Sequence, residues 1–171
     1  MARIGGVVTG RVINVNDPEG QGRVQVSFPW MGGQNEGYWS PVATMMSGGG
    51  RGSWFMPVEG DEVLVAFNQE DVNSSYILGY LWNGQDTPPS SDPNLRTIRS
   101  VNGHEIQIYD PPIAGGDQGY IRIQYARGNG SVNVVELNNL SITIRSDSAV
   151  VIEAPTVTIN GRPVVPSTSP I

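Results

Sequence analysis

Residues 17–30 read DPEGQGRVQVSFPW, and the fold of the first half of the chain turns on them. A β-forming run stops at a polar Asp-Pro-Glu-Gly-Gln-Gly turn, resumes with Val24 and Val26 in alternation, and ends on Pro29-Trp30. Gly20 and Gly22 permit a tight reversal. Arg23 then starts a returning strand, and Pro29-Trp30 is expected to end it where a barrel closes. Working outward, strand-like runs occupy 4–16, 22–28, 39–43, 62–68 and 76–81, separated by Gly, Pro, Asp and Asn clusters. EVLVAFN alternates over Val63, Val65 and Phe67, whereas YILGYL is apolar throughout, as a strand buried on both faces can be. Nothing reads as a helix. Five strands in so short a span predict a small barrel of the five-stranded OB type. The Gly-rich MMSGGGRGSWF stretch is expected to be a mobile surface loop between the third and fourth strands.

Residues 84–94, GQDTPPSSDPN, read as a connector. Beyond it come short segments, HEIQIYD, YIRIQYA, SVNVVEL, LSITIRS, AVVIEA and TVTING, mostly with Ile or Val at every second place. Each segment therefore has one apolar and one polar face. The parity slips at VNVVEL, where a bulge or corner is expected. From LSITIRS onward the segments recur every seven to nine residues, as at Ile142, Val150 and Val157. Strands so short and few would leave the apolar face of one chain uncovered. Three chains winding together would close it, each fully buried Val or Ile contributing roughly 1.5–3 kcal/mol. A single-chain sandwich with a second small sheet is the simpler alternative.

Composition bounds the function. The 171 residues are 38% hydrophobic, with no apolar run long enough to span a bilayer as a helix. The opening MARIGGVVTGRV does not resemble a signal peptide, so assembly in the cytoplasm is expected. Cysteine is absent, which removes disulfides, thiolate metal sites and Cys nucleophiles together. The net charge is −6, and all ten basic residues are arginine. Residues 1–90 carry four of the ten Arg against nine of the sixteen acids, leaving six and seven for 91–171. Neither half presents the basic surface that a polyanion needs.

Several residues invite a chemical reading. Glu59, Asp61 and Glu62 could pair for hydrolysis or hold a metal, but VEGDEV reads more simply as a polar turn into a strand. His104, the only histidine, lies just after a turn in NGHEIQI, and no G-x-S-x-G motif accompanies it. It is expected to be a solvated turn residue. SGGGRG lacks the Lys-Ser/Thr ending of a phosphate loop. Trp30, Tyr38, Trp39, Trp54 and Phe55 could stack bases on an OB barrel, but the acidic balance favours core or interface packing.

The linked motifs resemble a known family. GVVTGRVINVNDPEGQGRVQVSFPW, YWSPVATMMSGGGRGSWFMPVEGDEVLVAFNQED and YILGYLWNGQDTPP follow, in order, the pattern of the central spike of contractile injection machines. That family includes baseplate spikes of contractile phage tails, related bacteriocin and extracellular injection particles, and the VgrG proteins of type VI secretion. The resemblance covers residues 5 to about 89 and implies an OB barrel beneath a baseplate hub, followed by a β-helical needle. VgrG proteins carry large hub domains ahead of the barrel, and some phage spikes insert a lysozyme domain after it. Here the barrel opens the chain and only a short connector follows it, so a minimal spike is expected.

The resulting expectation is all-β: an OB barrel at 1–89, a linker at 90–97, an intertwined trimeric β-helix or β-prism needle at 98–161, and a tip extension at 162–171. Ile106, Ile108, Ile121, Ile123, Ile142, Ile144, Val150, Ile152, Val157 and Ile159 are the expected trimer core, with Arg122, Thr143 and Arg145 facing water. Regular structure should stop near Asn160-Gly161, giving a needle of roughly 30–35 Å. Some spikes of the family hold iron through H-x-H pairs, but no histidine follows His104. No cofactor or metal is therefore expected. The implied role is a non-enzymatic, membrane-puncturing homotrimer of a virion tail or secreted phage-tail-like particle. Its implied partners are the hub, the target cell envelope and a separate PAAR-like tip protein docked on Ile159, Val164 and Val165. No specific nucleic-acid partner is expected. The rival readings are an OB-type single-stranded nucleic-acid binder and a spike carrying an effector.

Overall fold

The computed structural model describes residues 6–31, 37–112, 118–126 and 132–164. The chain divides into two units, Met1–Pro88 and Pro89–Ile171. Both are built from β structure, and the only helical turn among the described residues is a 3-10 turn at Pro29–Met31.

In the first unit, β1 (Val7–Asn14) turns back into β2 (Arg23–Ser27), which pairs with β3 (Tyr38–Pro41). A two-residue hairpin, β4 (Ser47–Gly48) and β5 (Arg51–Gly52), precedes β6 (Glu62–Asn68) and β7 (Asp71–Tyr80). The sheet order is β3-β2-β1-β6-β7. Its two ends meet through a parallel bridge between Val42 and Ile77, where the Ala43 N–H donates to the Ile77 carbonyl at 2.8 Å. That return makes the nearly closed five-stranded barrel of the OB type. Closure lies at this β3–β7 seam, not at Pro29-Trp30.

Alternation fills the barrel. Val12, Val24, Val26, Val63, Val65 and Ile77 are buried with Phe28. Two hydroxyls share this interior: Ser40 on β3 and Ser75 on β7 lie 2.6 Å apart across the seam, so each satisfies the other. Gly10 is required by a close approach, since a Cβ there would sit 2.4 Å from Val26 Cγ1.

Three readings of this half are corrected. YILGYL is one-sided: Ile77 is buried, while Tyr76, Leu78 and Tyr80 face outward and are exposed. β7 also begins earlier than expected, because Gln69 and Glu70 both adopt positive φ and reverse the chain in two residues. Finally, SGGGRG is a hairpin, with Ser47 opposite Gly52 and Gly48 opposite Arg51.

The second unit is a meander of β8 (Leu95–Arg99), β9 (Glu105–Tyr109), β10 (Tyr120–Ala126), β11 (Val132–Asn138) and β12 (Ile142–Arg145). Consecutive strands pair antiparallel, in the order β12-β11-β10-β9-β8. The described residues thus form no β-helical coil, as a local cause shows. Between β8 and β9 the Ser100 N–H donates to the His104 carbonyl, with Gly103 at positive φ. Between β11 and β12 the Asn138 side chain accepts the Leu140 and Ser141 N–H groups. Such tight reversals place β9 beside β8 and β12 beside β11, whereas coils need longer crossovers.

β8 begins inside the stretch read as linker. β10 and β11 pair without a register shift from Tyr120↔Asn138 to Ala126↔Val132, so VNVVEL holds no bulge. Val134 simply falls on the other face of the sheet. AVVIEA forms no strand, so Val150 and Ile152 lie in irregular chain. The five strands span about 19 Å at the usual strand spacing, shorter than the needle expected from sequence. A last hairpin joins β13 (Thr158–Ile159) to β14 (Arg162–Pro163). Asn160 and Gly161, where regular structure was expected to stop, are its positive-φ turn.

Candidate assembly surfaces

The registers of the meander align its side chains in rows. Ile98, Ile106, Ile123, Val135 and Ile144 form one row across the sheet. Ile108, Ile121, Leu137 and Ile142 form the next, with Arg96 at the β8 edge. Both rows lie on the same face, and with Tyr125 their apolar members are 37% to 73% exposed. Six of the expected core residues, Ile106, Ile108, Ile121, Ile123, Ile142 and Ile144, are therefore brought together. Val135, Leu137 and Ile98 join them; the parity of SVNVVEL and of LRTIR carried that signal.

The opposite face is polar and knitted together. Arg122 donates to Glu136 through Nε at 2.8 Å and Nη2 at 2.5 Å, and its guanidinium lies 4.4 Å from the Tyr120 ring centroid. Asn138 donates to the other Glu136 oxygen at 3.0 Å. Arg122 above all, and then Asn138, hold the Glu136 carboxyl below its ordinary range. Arg99 pairs with Glu105 at 3.1 Å, and Gln107 bonds to the same carboxylate. Arg99, Glu105, Gln107, Arg122, Glu136 and Asn138 thus have partners within the sheet, while the two apolar rows of the other face stand half exposed. The usual order of burial is inverted.

Of the remaining expected core and tip residues, Val150 lines a hollow with Ile123, Val135 and Ile144, while Ile152, Val157, Ile159 and Val164 belong to neither row. Val150, Ile152 and Ile159 are exposed, and Val157 is half-buried. The Val157 carbonyl accepts the Val164 N–H at 2.7 Å, which closes the last hairpin. Val165 lies outside the described residues.

At the barrel, the DPEGQG turn is held by one side chain. The Asp17 carboxylate accepts the backbone N–H groups of Glu19, Gln21 and Arg23 at 3.1, 2.8 and 3.2 Å. It also receives Arg23 Nη2 at 2.7 Å, and its side chain is only 5% exposed. The Arg23 guanidinium foremost, with the N–H groups, holds the Asp17 carboxyl well below the usual carboxylate range, although burial opposes this. Trp54 packs over Gly22, where a Cβ would sit 3.0 Å from its ring.

The chemical candidates resolve into structural roles. Asp61 accepts the Val58 N–H at 2.9 Å and closes the turn that contains Glu59 and Gly60, while Glu62 starts β6. Among the described residues no cluster of acids or histidine could hold a metal. His104 differs from the solvated residue expected: its ring stacks on Tyr125 at 4.2 Å and its Nδ1 accepts the Ala126 N–H. Tyr38 and Trp30 pack against Phe28, and Arg23 lies over Trp39. Trp54 and Phe55 remain exposed.

A family model described as the Type VI secretion system/phage-baseplate injector OB domain matches residues 8–82. The barrel belongs to that family. The match begins one residue into β1 and ends just past β7, so the injector OB domain comprises the whole barrel. Curated relatives extend the likeness. The Type VI secretion system spike protein VgrG3 of Vibrio cholerae is 30% identical over 95 residues, 52% of this chain. The spike protein VgrG1a of Pseudomonas aeruginosa is 30% identical over 123 residues, 63% of this chain. The actin cross-linking toxin VgrG1 of Vibrio cholerae is 30% identical over 132 residues, 66% of this chain. The chain spans 9%, 19% and 12% of the lengths of these three proteins. The matched lengths exceed the barrel, so the likeness to VgrG proteins is not confined to it.

Proposed function

We propose that this chain is a structural, non-enzymatic puncturing spike at the centre of a contractile baseplate, working as a homotrimer. The observation that carries the reading is the apolar face of the meander, bare in one chain while the opposite face is bonded. Three such faces turned onto a common axis form a prism. Each half-exposed Ile, Val or Leu would contribute roughly 1 kcal/mol on burial. Summed over three chains, that is of the same order as the roughly 4–15 kcal/mol that each of the two association steps costs. A stiff β prism transmits axial force without breaking a bond, which suits a point driven through an envelope by sheath contraction.

In this reading the injector OB domain faces the baseplate hub. The C-terminal end, with Ile159, Val164 and Val165, receives a separate PAAR-like tip protein. Two of the relatives are named spike proteins, which supports a place in a phage tail or secreted phage-tail-like particle, assembled in the cytoplasm. Light scattering on the purified chain should give three times 18.4 kDa. A monomer at micromolar concentration overturns the proposal. Elemental analysis of the trimer should find no stoichiometric iron or zinc. Removing 157–171 should leave a trimer that no longer retains a co-expressed cap.

A further inference from the structure

The barrel carries a second surface that the trimer does not require. Phe55, Met56 and Pro57 form one wall of a groove, and Tyr80, Leu81 and Trp82 form the other. The Tyr80 hydroxyl donates to the Phe55 carbonyl at 2.5 Å and ties the walls together. Trp82 is 66% exposed, and Phe55 and Tyr80 are about half exposed. Asp61, Glu62 and Asp86 complete the lining. Among the described residues no cation pairs with any of these three carboxylates. Burial, and then the Asp61 charge, push the Tyr80 phenol above its ordinary pKa.

We propose that this groove binds an extended, arginine-bearing peptide segment of a partner protein. The chemistry of the lining selects that occupant. A guanidinium can lie flat on Trp82 or Tyr80 while its N–H fork meets a carboxylate. Its aliphatic stem, and an apolar neighbour, pack between Met56 and Leu81. Acidic polymers are repelled, and an uncharged apolar segment would desolvate the carboxylates without bringing them a compensating charge.

The test uses the full chain and an acetylated, amidated Arg-Leu-Arg-Leu-Arg-Leu hexapeptide, followed by calorimetry and tryptophan fluorescence at low salt. Saturable binding is expected, weakened about tenfold by Trp82→Ala and several-fold by Glu62→Gln. Glu153→Gln, on the other unit, should change nothing. The same peptide with Gln for Arg should bind at least tenfold more weakly. No binding, equal binding of the Gln peptide, or undiminished binding by Trp82→Ala overturns the inference. So does a change of oligomeric mass in Trp82→Ala, because the occupant would then be a second copy of this chain. The outcome is separable from the spike reading. A trimer that ignores the peptide loses only the groove, and a monomer that binds it loses only the spike.

Discussion

The two units use the same alternation of apolar and polar residues to opposite ends. In the barrel, each strand turns its Val, Ile and Phe onto the other strands of a sheet that curls back to the β3–β7 seam, and the core is complete within one chain. In the meander, the strands pair as regularly, but nothing curls. The sheet keeps its apolar rows in the open while its polar face is bonded. The barrel's stability is therefore a property of one chain, whereas the meander's should depend on protein concentration. A comparison of this kind can be broken by mutations that act on one unit only.

The largest effect is expected from Ile121→Asp, in the middle strand of the bare face. Three carboxylates would meet near one axis, each costing several kcal/mol without a partner. Light scattering should show loss of the trimer, while the near-ultraviolet signature of the barrel persists. A stable trimer carrying this change would mean that the face is not an assembly surface. Next comes Ile77→Ala in the barrel, which should cost about 2–5 kcal/mol. It should lower the barrel's melting transition without changing the oligomeric mass. Gly10→Ala adds a methyl group where Val26 already stands and should cost about 1–3 kcal/mol in the same unit.

Asp17 sharpens the comparison through pH. Its carboxyl is held below its unfolded value, so its contribution is fully present above about pH 4 and is lost as the pH falls further. Acid titration of the wild-type barrel should show this loss, and Asp17→Asn should be less stable at neutral pH but flatter below pH 4. The smallest effect belongs to Arg145→Asp on the outward face of β12. That exposed change should stay within about 0.5 kcal/mol and leave the trimer intact. Equal damage from Arg145→Asp and Ile121→Asp would mean that the faces are assigned the wrong way round.

Parity is what the sequence determined by itself. A period of two puts Ile121 and Ile123 on one face and Arg122 on the other whatever the strand pairs with, so the bare rows were legible residue by residue. The DPEGQG turn was legible too, because Gly20 and Gly22 allow the positive φ it needs; the Asp17 bonds that lock it required coordinates. Partnership is what only the tertiary structure decided. AVVIEA carries Val150 and Ile152 two apart, as LSITIRS carries Ile142 and Ile144, yet among the described residues no strand lies beside it to take its N–H and C=O groups. The polar start of β7 is a strand because β6 lies beside it, with Phe67 opposite Ser75 and Asn68 opposite Asp71. Val134 sits on the polar face because β11 keeps register with β10 instead of bulging to rescue one valine. A strand is defined by its hydrogen-bonded neighbour, and alternation along one segment does not name that neighbour.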